Sequence, residues 1–318
     1  MPELINENKE IFEELRKTIL GGKCIAFIGS GLSMGSYDPW HKLIKKICEN
    51  CGTNNSVDKG SSPEQLLNAA QEAKSYDPNA YFRTLGEHFG NFNLQQHIYN
   101  VILQLPFQCY MTTNFDSTLA KNAGLARERC QLPPKVYPTG LDRRDVRNRH
   151  IFYLHGLIKE GEIPKDGDIV LSKDEFDHAY QDNSRLMSLL TQTFEEDPII
   201  FIGCRLKEPP LEKVFKISNR NRSARMKKIE ETGESDINPP PRLILLSKPE
   251  IGKNVQTSAD QRTAMEKAER FYGKLSITVV WYDAQRNDHS VLRRTLESLA
   301  ELPDITPKHF WGGEENDI

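Results

Sequence analysis

Seven short apolar runs constrain this chain more than any other feature. They are CIAFIG (24–29), FQCYMTTN (107–114), IFYLHG (151–156), DIVLS (168–172), IIFIG (199–203), RLILLS (242–247) and LSITVVWY (275–282). CIAFIG has no polar alternation, as expected of a strand buried on both faces. Helical patterns lie between the runs. Residues 8–20 place Ile11, Phe12, Leu15, Ile19 and Leu20 at helical spacing and stop at Gly21–Gly22. Ser172 and Glu175 form a capping-box pattern, and SVLRRTLESLAEL carries Leu292, Leu296 and Leu299 on one stripe. Buried strands alternating with helices predict an α/β fold with a mostly parallel, doubly wound sheet. Residues 41–105 have little strand character and read as a helical insertion. Residues 219–241, charged and ending in three prolines, read as a mobile surface segment, with a solvated helix face as the plain reading of NRNRSARMKK. The tail from Asp304 reads as poorly ordered.

Bulk properties exclude several classes. The 318 residues carry a formal net charge of -3, so direct nucleic-acid binding is not expected, nor attraction to an anionic membrane. No apolar run approaches the roughly 20 residues that span a bilayer. The acidic start MPELINENKEIFEEL lacks the pattern of a signal peptide, and the expected location is cytoplasmic. Cys24, Cys48, Cys51, Cys109, Cys130 and Cys204 are then expected as free thiols. Cys48 and Cys51 form the one close pair. A structural zinc wants four ligands, so Cys48 is read as packing inside a helix and Cys51 as closing it before Gly52. No metal is expected.

Four polar or glycine-rich junctions follow strands, where a doubly wound sheet collects ligand groups. GSGLS (29–33) gives glycines for close backbone approach to an anion. It matches neither the G-x-G-x-x-G fingerprint nor a P-loop, which argues against an ordinary Rossmann oxidoreductase. TTNFD (112–116) places Asn114 and Asp116 at a strand end; on local pattern alone, a helix N-cap is an equal reading. LHG (154–156) puts His155 where a general acid or base would stand, against the plain reading of a structural histidine. FIGCRL (201–206) is a further strand–glycine junction.

In this order the four junctions resemble the motif set of the sirtuin family: GAG-x-S, TQN-x-D, HG and a GTS-type turn on a Rossmann-like sheet that binds NAD. The matching residues are Gly29, Ser30, Gly31 and Ser33; Thr113 (or Thr112), Asn114 and Asp116; His155 and Gly156; and Gly203. Ser30, Phe115 and Cys204 replace family-typical residues. SYDPWHKL (36–43) stands where sirtuins carry a GIPDFR loop, with Asp38 and Trp40 matching its acidic and aromatic residues and the loop read as a lid. Sirtuin deacetylases have a zinc ribbon after HG, yet no cysteine lies between His155 and Cys204. The chain therefore looks similar to the sirtuin-like effectors of bacterial anti-phage systems, which hydrolyse NAD and so halt phage growth.

The resemblance implies a division into residues 1–40 (first helix and strand of the core), 41–105 (helical insertion), 106–303 (rest of the NAD-binding core) and 304–318 (tail). It implies NAD+ as substrate, with Asn114 and His155 catalytic. Pyrophosphate would lie on the GSGLS backbone, with Ser33 donating to the ligand and Asn114 and Asp116 holding the nicotinamide ribose and carboxamide. Gly203 and Cys204 would border the adenosine ribose, with Ser247 and Tyr282 near the adenine. An NADase needs restraint, so gating by assembly is expected: a homo-oligomer, or a separate subunit such as a HerA-like ATPase or, alternatively, a short Argonaute. The competing readings are an NAD-dependent deacylase or ADP-ribosyltransferase, and a non-catalytic NAD or ADP-ribose sensor.

Overall fold

The computed structural model describes residues 9–33, 37–90, 97–125, 133–206, 208–232, 239–283 and 290–300. Among them, seven strands form one sheet: β1 (Ile25–Ile28), β2 (Cys109–Thr112), β3 (Lys135–Val136), β4 (Ile151–Tyr153), β5 (Ile199–Ile202), β6 (Arg242–Ser247) and β7 (Thr278–Tyr282). Their order is β3-β4-β2-β1-β5-β6-β7. Every neighbouring pair is parallel. The chain builds outward from β1 through β2 to β4 and β3, then returns past β1 to lay down β5, β6 and β7. That reversal beside β1 is the switch point at which doubly wound sheets bind ligands.

The apolar runs are strands because helices cover both faces. Successive strand residues point to opposite sides. Thus Ile25 and Phe27 of β1 join one core, while Ala26 and Ile28 join the other. The first core lies under α7 (Lys173–Ala179), α8 (Arg185–Glu196), α9 (Pro209–Thr232) and α10 (Ser258–Lys274). The second lies under α1 (Lys9–Leu20), α5 (His97–Gln104), α6 (Thr118–Leu125) and α11 (Ser290–Ala300).

The helical stretch after β1 divides in two. Helices α2 (Trp40–Cys51), α3 (Pro63–Tyr76) and α4 (Pro78–Phe89) enclose a third core of their own, whereas Ile98, Tyr99 and Ile102 of α5 pack on the sheet. Cys48 and Cys51 are buried thiols on α2, and Gly52 closes that helix in the left-handed conformation. Among the described residues, no group of three or more metal-ligating side chains occurs, and no helix is long and apolar enough to cross a membrane.

One expectation is corrected. DIVLS (168–172) is not a strand. Its run is apolar because it lies between two cores: Ile169 and Leu171 face the helical module, and Val170 faces the sheet. Residues 219–232 continue α9 with a largely solvated face, in line with the plain reading of NRNRSARMKK; 233–238 lie outside the described residues, as do Cys130 and the tail from 304.

Candidate functional site

Four adjacent strands, in the order β4-β2-β1-β5, deliver the four sequence junctions to the same carboxyl edge. After β1 the chain makes a tight 3₁₀ turn, Ser30–Ser33, and buries the Ser33 side chain. After β2, Asn114 and Asp116 are also buried. These three side chains meet. Ser33 Oγ donates to Asp116 Oδ2 at 3.4 Å and accepts from Asn114 Nδ2 at 3.4 Å. Tyr99 of α5 brings its hydroxyl to within 2.9 Å of the same Oγ.

Asp116 serves two purposes. Its Oδ1 accepts the Thr118 N–H at 3.0 Å and so caps α6, while Oδ2 faces Ser33. The same carboxylate thus ties the start of α6 and meets Ser33. Burial raises its carboxyl above the ordinary carboxylate range. Asn114 is set differently. Its N–H donates to Thr112 Oγ1 at 3.0 Å and its Nδ2 is held by Ser33, yet its buried Oδ1 has no hydrogen-bond partner. A buried acceptor without a protein partner is uncommon in folded proteins and leaves this oxygen able to accept a further hydrogen bond.

The glycines of the first turn have a more specific cause than anion approach. A Cβ on Gly29 would come within 2.5 Å of the Gly203 carbonyl oxygen, and one on Gly31 within 2.7 Å of the same atom. The Gly31 N–H donates to that oxygen at 2.9 Å, and the Gly29 N–H donates to Ile202. These two groups therefore stitch the β1 and β5 turns together and are not free for phosphate.

His155 follows β4 and is 4% exposed. Its Nε2 lies 2.7 Å from the Tyr180 hydroxyl. Phe115, Phe176 and Tyr180 surround the ring, with centroids at 6.5, 5.0 and 5.8 Å. Burial in this aromatic box pushes the imidazole down to about 3, so it is neutral at physiological pH. Gly156, at φ 97°, is required because a Cβ there would meet the Asp168 carbonyl.

The remaining expected residues sit as follows. Ser30 and Asp38 are exposed, and Thr113 is half-buried. Trp40 opens α2 half-buried, with its Nε1 buried and unpartnered. Cys204 turns into the core, where its thiol donates to the Phe27 carbonyl at 3.4 Å, so the structure does not bring it to the polar cluster. Ser247 and Tyr282 pair in register at the β6–β7 side of the sheet, with β5 between them and β1. Residues 34–36, which include Ser36 of the expected lid, lie outside the described residues.

Sequence reasoning missed Tyr37, Tyr99 and Tyr180. The Tyr37 phenol bonds to Thr118 and is pushed up to about 12 by burial and by Asp116. Its ring packs on Phe89, which packs on Phe115 beside His155. One aromatic row thus joins Tyr37 to the histidine. No local signal marks these tyrosines, because on helices and loops they read as ordinary core.

A model of the SIR2-like domain matches residues 108–271. The chain belongs to the SIR2-like domain family. It is 22% identical over 220 residues to the NAD(+) hydrolase ThsA of Enterococcus faecium, covering 66% of this chain and 42% of that protein. The namesake from Cytobacillus dafuensis is 23% identical over 222 residues, covering 67% and 41%. Defense-associated sirtuin 2 of Bacillus subtilis is 24% identical over 205 residues, covering 63% and 20%. The chain spans less than half the length of these curated relatives.

Proposed function

We propose that this SIR2-like domain is an NAD+ glycohydrolase acting as the effector of a bacterial anti-phage, abortive-infection system. The observation that carries the reading is Asn114: one end of its amide is fixed by Ser33 and the other is a buried acceptor with nothing to accept. Trp40, which opens α2, has a buried indole N–H that is also unpartnered. A donor and an acceptor suit a ligand bearing both, as the carboxamide and ribose of NAD+ do. The family match and the names of the relatives support the same choice.

In this reading the bond between C1′ of the ribose and the pyridinium nitrogen breaks. Its electron pair goes to nicotinamide, which leaves neutral. Water adds to C1′ and its proton passes to His155, giving ADP-ribose. The ribose becomes electron-poor before water arrives, so the site must chiefly position groups and stabilise positive charge. Asn114 and Ser33 orient the ribose and the water, and Asp116 adds negative charge beside them. No metal is called for. Gating falls to assembly, with itself or with a separate subunit, a HerA-like ATPase first and a short Argonaute second.

The test is release of nicotinamide and ADP-ribose from NAD+ by the purified chain, alone and with the product of the neighbouring gene. His155→Ala and Asn114→Ala are expected to abolish it while the protein stays folded. Undiminished cleavage in both variants would sink the assignment.

A further inference from the structure

We propose that Tyr180 is a positioning residue for His155: its phenol oxygen takes the Nε2 hydrogen and leaves Nδ1 as the nitrogen that accepts the proton. This rests on the reading of His155 as the base. A neutral imidazole has one donor and one acceptor nitrogen, and the partner of one nitrogen decides the role of the other. Tyr180 lies 2.7 Å from Nε2 and is the imidazole's one hydrogen-bond partner among the described residues. A base needs its unprotonated nitrogen open to substrate, and Nε2 is occupied. When Nδ1 gains a proton, the Nε2–H to oxygen bond becomes charge-assisted and strengthens. A nucleophile or base oriented by a third group is a recurrent arrangement, usually with a carboxylate in the third place. Here a phenol holds it, in a box too apolar for an unpaired charge.

The position of Tyr180 is itself fixed from a distance. It ends α7, with its N–H donating to the Phe176 carbonyl at 2.9 Å, and the Tyr180 carbonyl accepts from Lys213 Nζ at 3.3 Å. The start of α7 is anchored by Glu175. Glu175 Oε2 accepts the Leu171 and Ser172 N–H groups at 2.9 and 2.8 Å, and Oε1 accepts from Lys74 Nζ of α3 at 2.7 Å. The helical module thus holds the helix that holds the tyrosine. Burial keeps both Tyr180 and His155 in their neutral forms until chemistry occurs.

Two measurements test this. In ¹⁵N-labelled protein, imidazole nitrogen shifts report the tautomer of each histidine, with His155 assigned by its loss in His155→Gln. The expected result is hydrogen on Nε2, with a mixed tautomer in Tyr180→Phe. In turnover, Tyr180→Phe is expected to lower kcat about 10–100-fold with KM for NAD+ unchanged, part of the roughly 10²–10⁴ that a positioned base supplies. Hydrogen on Nδ1 in the native protein overturns the proposal. So does a Tyr180→Phe enzyme as fast as the native one, or faster, the latter meaning that the tyrosine is a plug. If Tyr180→Phe fails to fold, the tautomer of the native protein decides alone. Absence of all NAD+ cleavage by native protein would instead strike the proposed function, and the tautomer measurement would remain decisive for Tyr180.

Discussion

Arg242 and Asn114 are both buried polar residues of the sheet, 2% and 8% exposed, at opposite ends of the strands. Arg242 opens β6 at the amino end. Its Nε donates to the Phe194 carbonyl at 3.0 Å, one terminal nitrogen to the Leu275 carbonyl at 3.1 Å, and the other to Ser218 Oγ at 2.9 Å. The rings of Phe194 and Phe215 lie 5.8 and 5.6 Å from its guanidinium carbon. Burial and then Arg222 push it down to about 9, still charged at neutral pH. Asn114, at the carboxyl end, keeps one acceptor open. At Arg242 the donors on all three guanidinium nitrogens find acceptors, whereas at Asn114 one acceptor is left over. The difference is one of bookkeeping in hydrogen bonds, because an unmade buried bond is far more expensive than a made one is favourable.

Breaking the closed end should have the largest effect on stability. Arg242→Met strands the Phe194 and Leu275 carbonyls, at about 1–3 kcal/mol each. A loss of about 2–6 kcal/mol in denaturant unfolding is expected, and a loss under about 1 kcal/mol would show that the network carries little. Next comes the seam between the β1 and β5 turns. Gly31→Val drives a side chain into the Gly203 carbonyl, with an expected destabilisation of about 1–3 kcal/mol. Unchanged thermal unfolding would mean that the two turns separate freely.

The pH dependence of stability separates the ends further. His155 has a folded value of about 3 against an ordinary 6.5. Between those values the unfolded chain binds a proton that the folded chain refuses, so stability falls as pH drops through that window. Asp116, raised by burial, acts in the opposite sense nearer the carboxylate range. The readout is therefore the difference between native protein and His155→Gln, which should lose stability less steeply on acidification. Parallel curves would contradict the buried neutral histidine. Smallest of all should be Asn114→Leu. It removes an amide with an orphaned oxygen, while Ser33 keeps Asp116 and Tyr99 as partners. Stability should change by less than about 1 kcal/mol even as the activity is lost.

The sequence made the sheet legible wherever a strand is covered on both faces, as CIAFIG and IIFIG are, because double burial leaves continuous apolar runs. It misled at DIVLS, whose three buried residues answer to two different cores. It was silent at β3, two half-buried residues at the sheet edge. In the site, Ser33, Asn114 and Asp116 were legible because they follow strands, and the structure brings them together. Tyr99 and Tyr180 were not, since a tyrosine that reaches a serine 66 positions away, or a histidine 25 away, looks locally like any helical core residue. The glycines of GSGLS were noticed for the right conformational reason and the wrong neighbour: their close approach is to Gly203.

Assignment of the open Asn114 acceptor to NAD+ has a direct consequence for binding. It is tested most directly by ligand-induced stabilisation in a background that cannot turn the ligand over. Purified His155→Ala should show a thermal midpoint that rises with NAD+ concentration, as binding to the folded state alone requires. The same titration on Asn114→Leu should give no rise. Equal stabilisation of both variants by NAD+, or stabilisation of neither, would contradict the account.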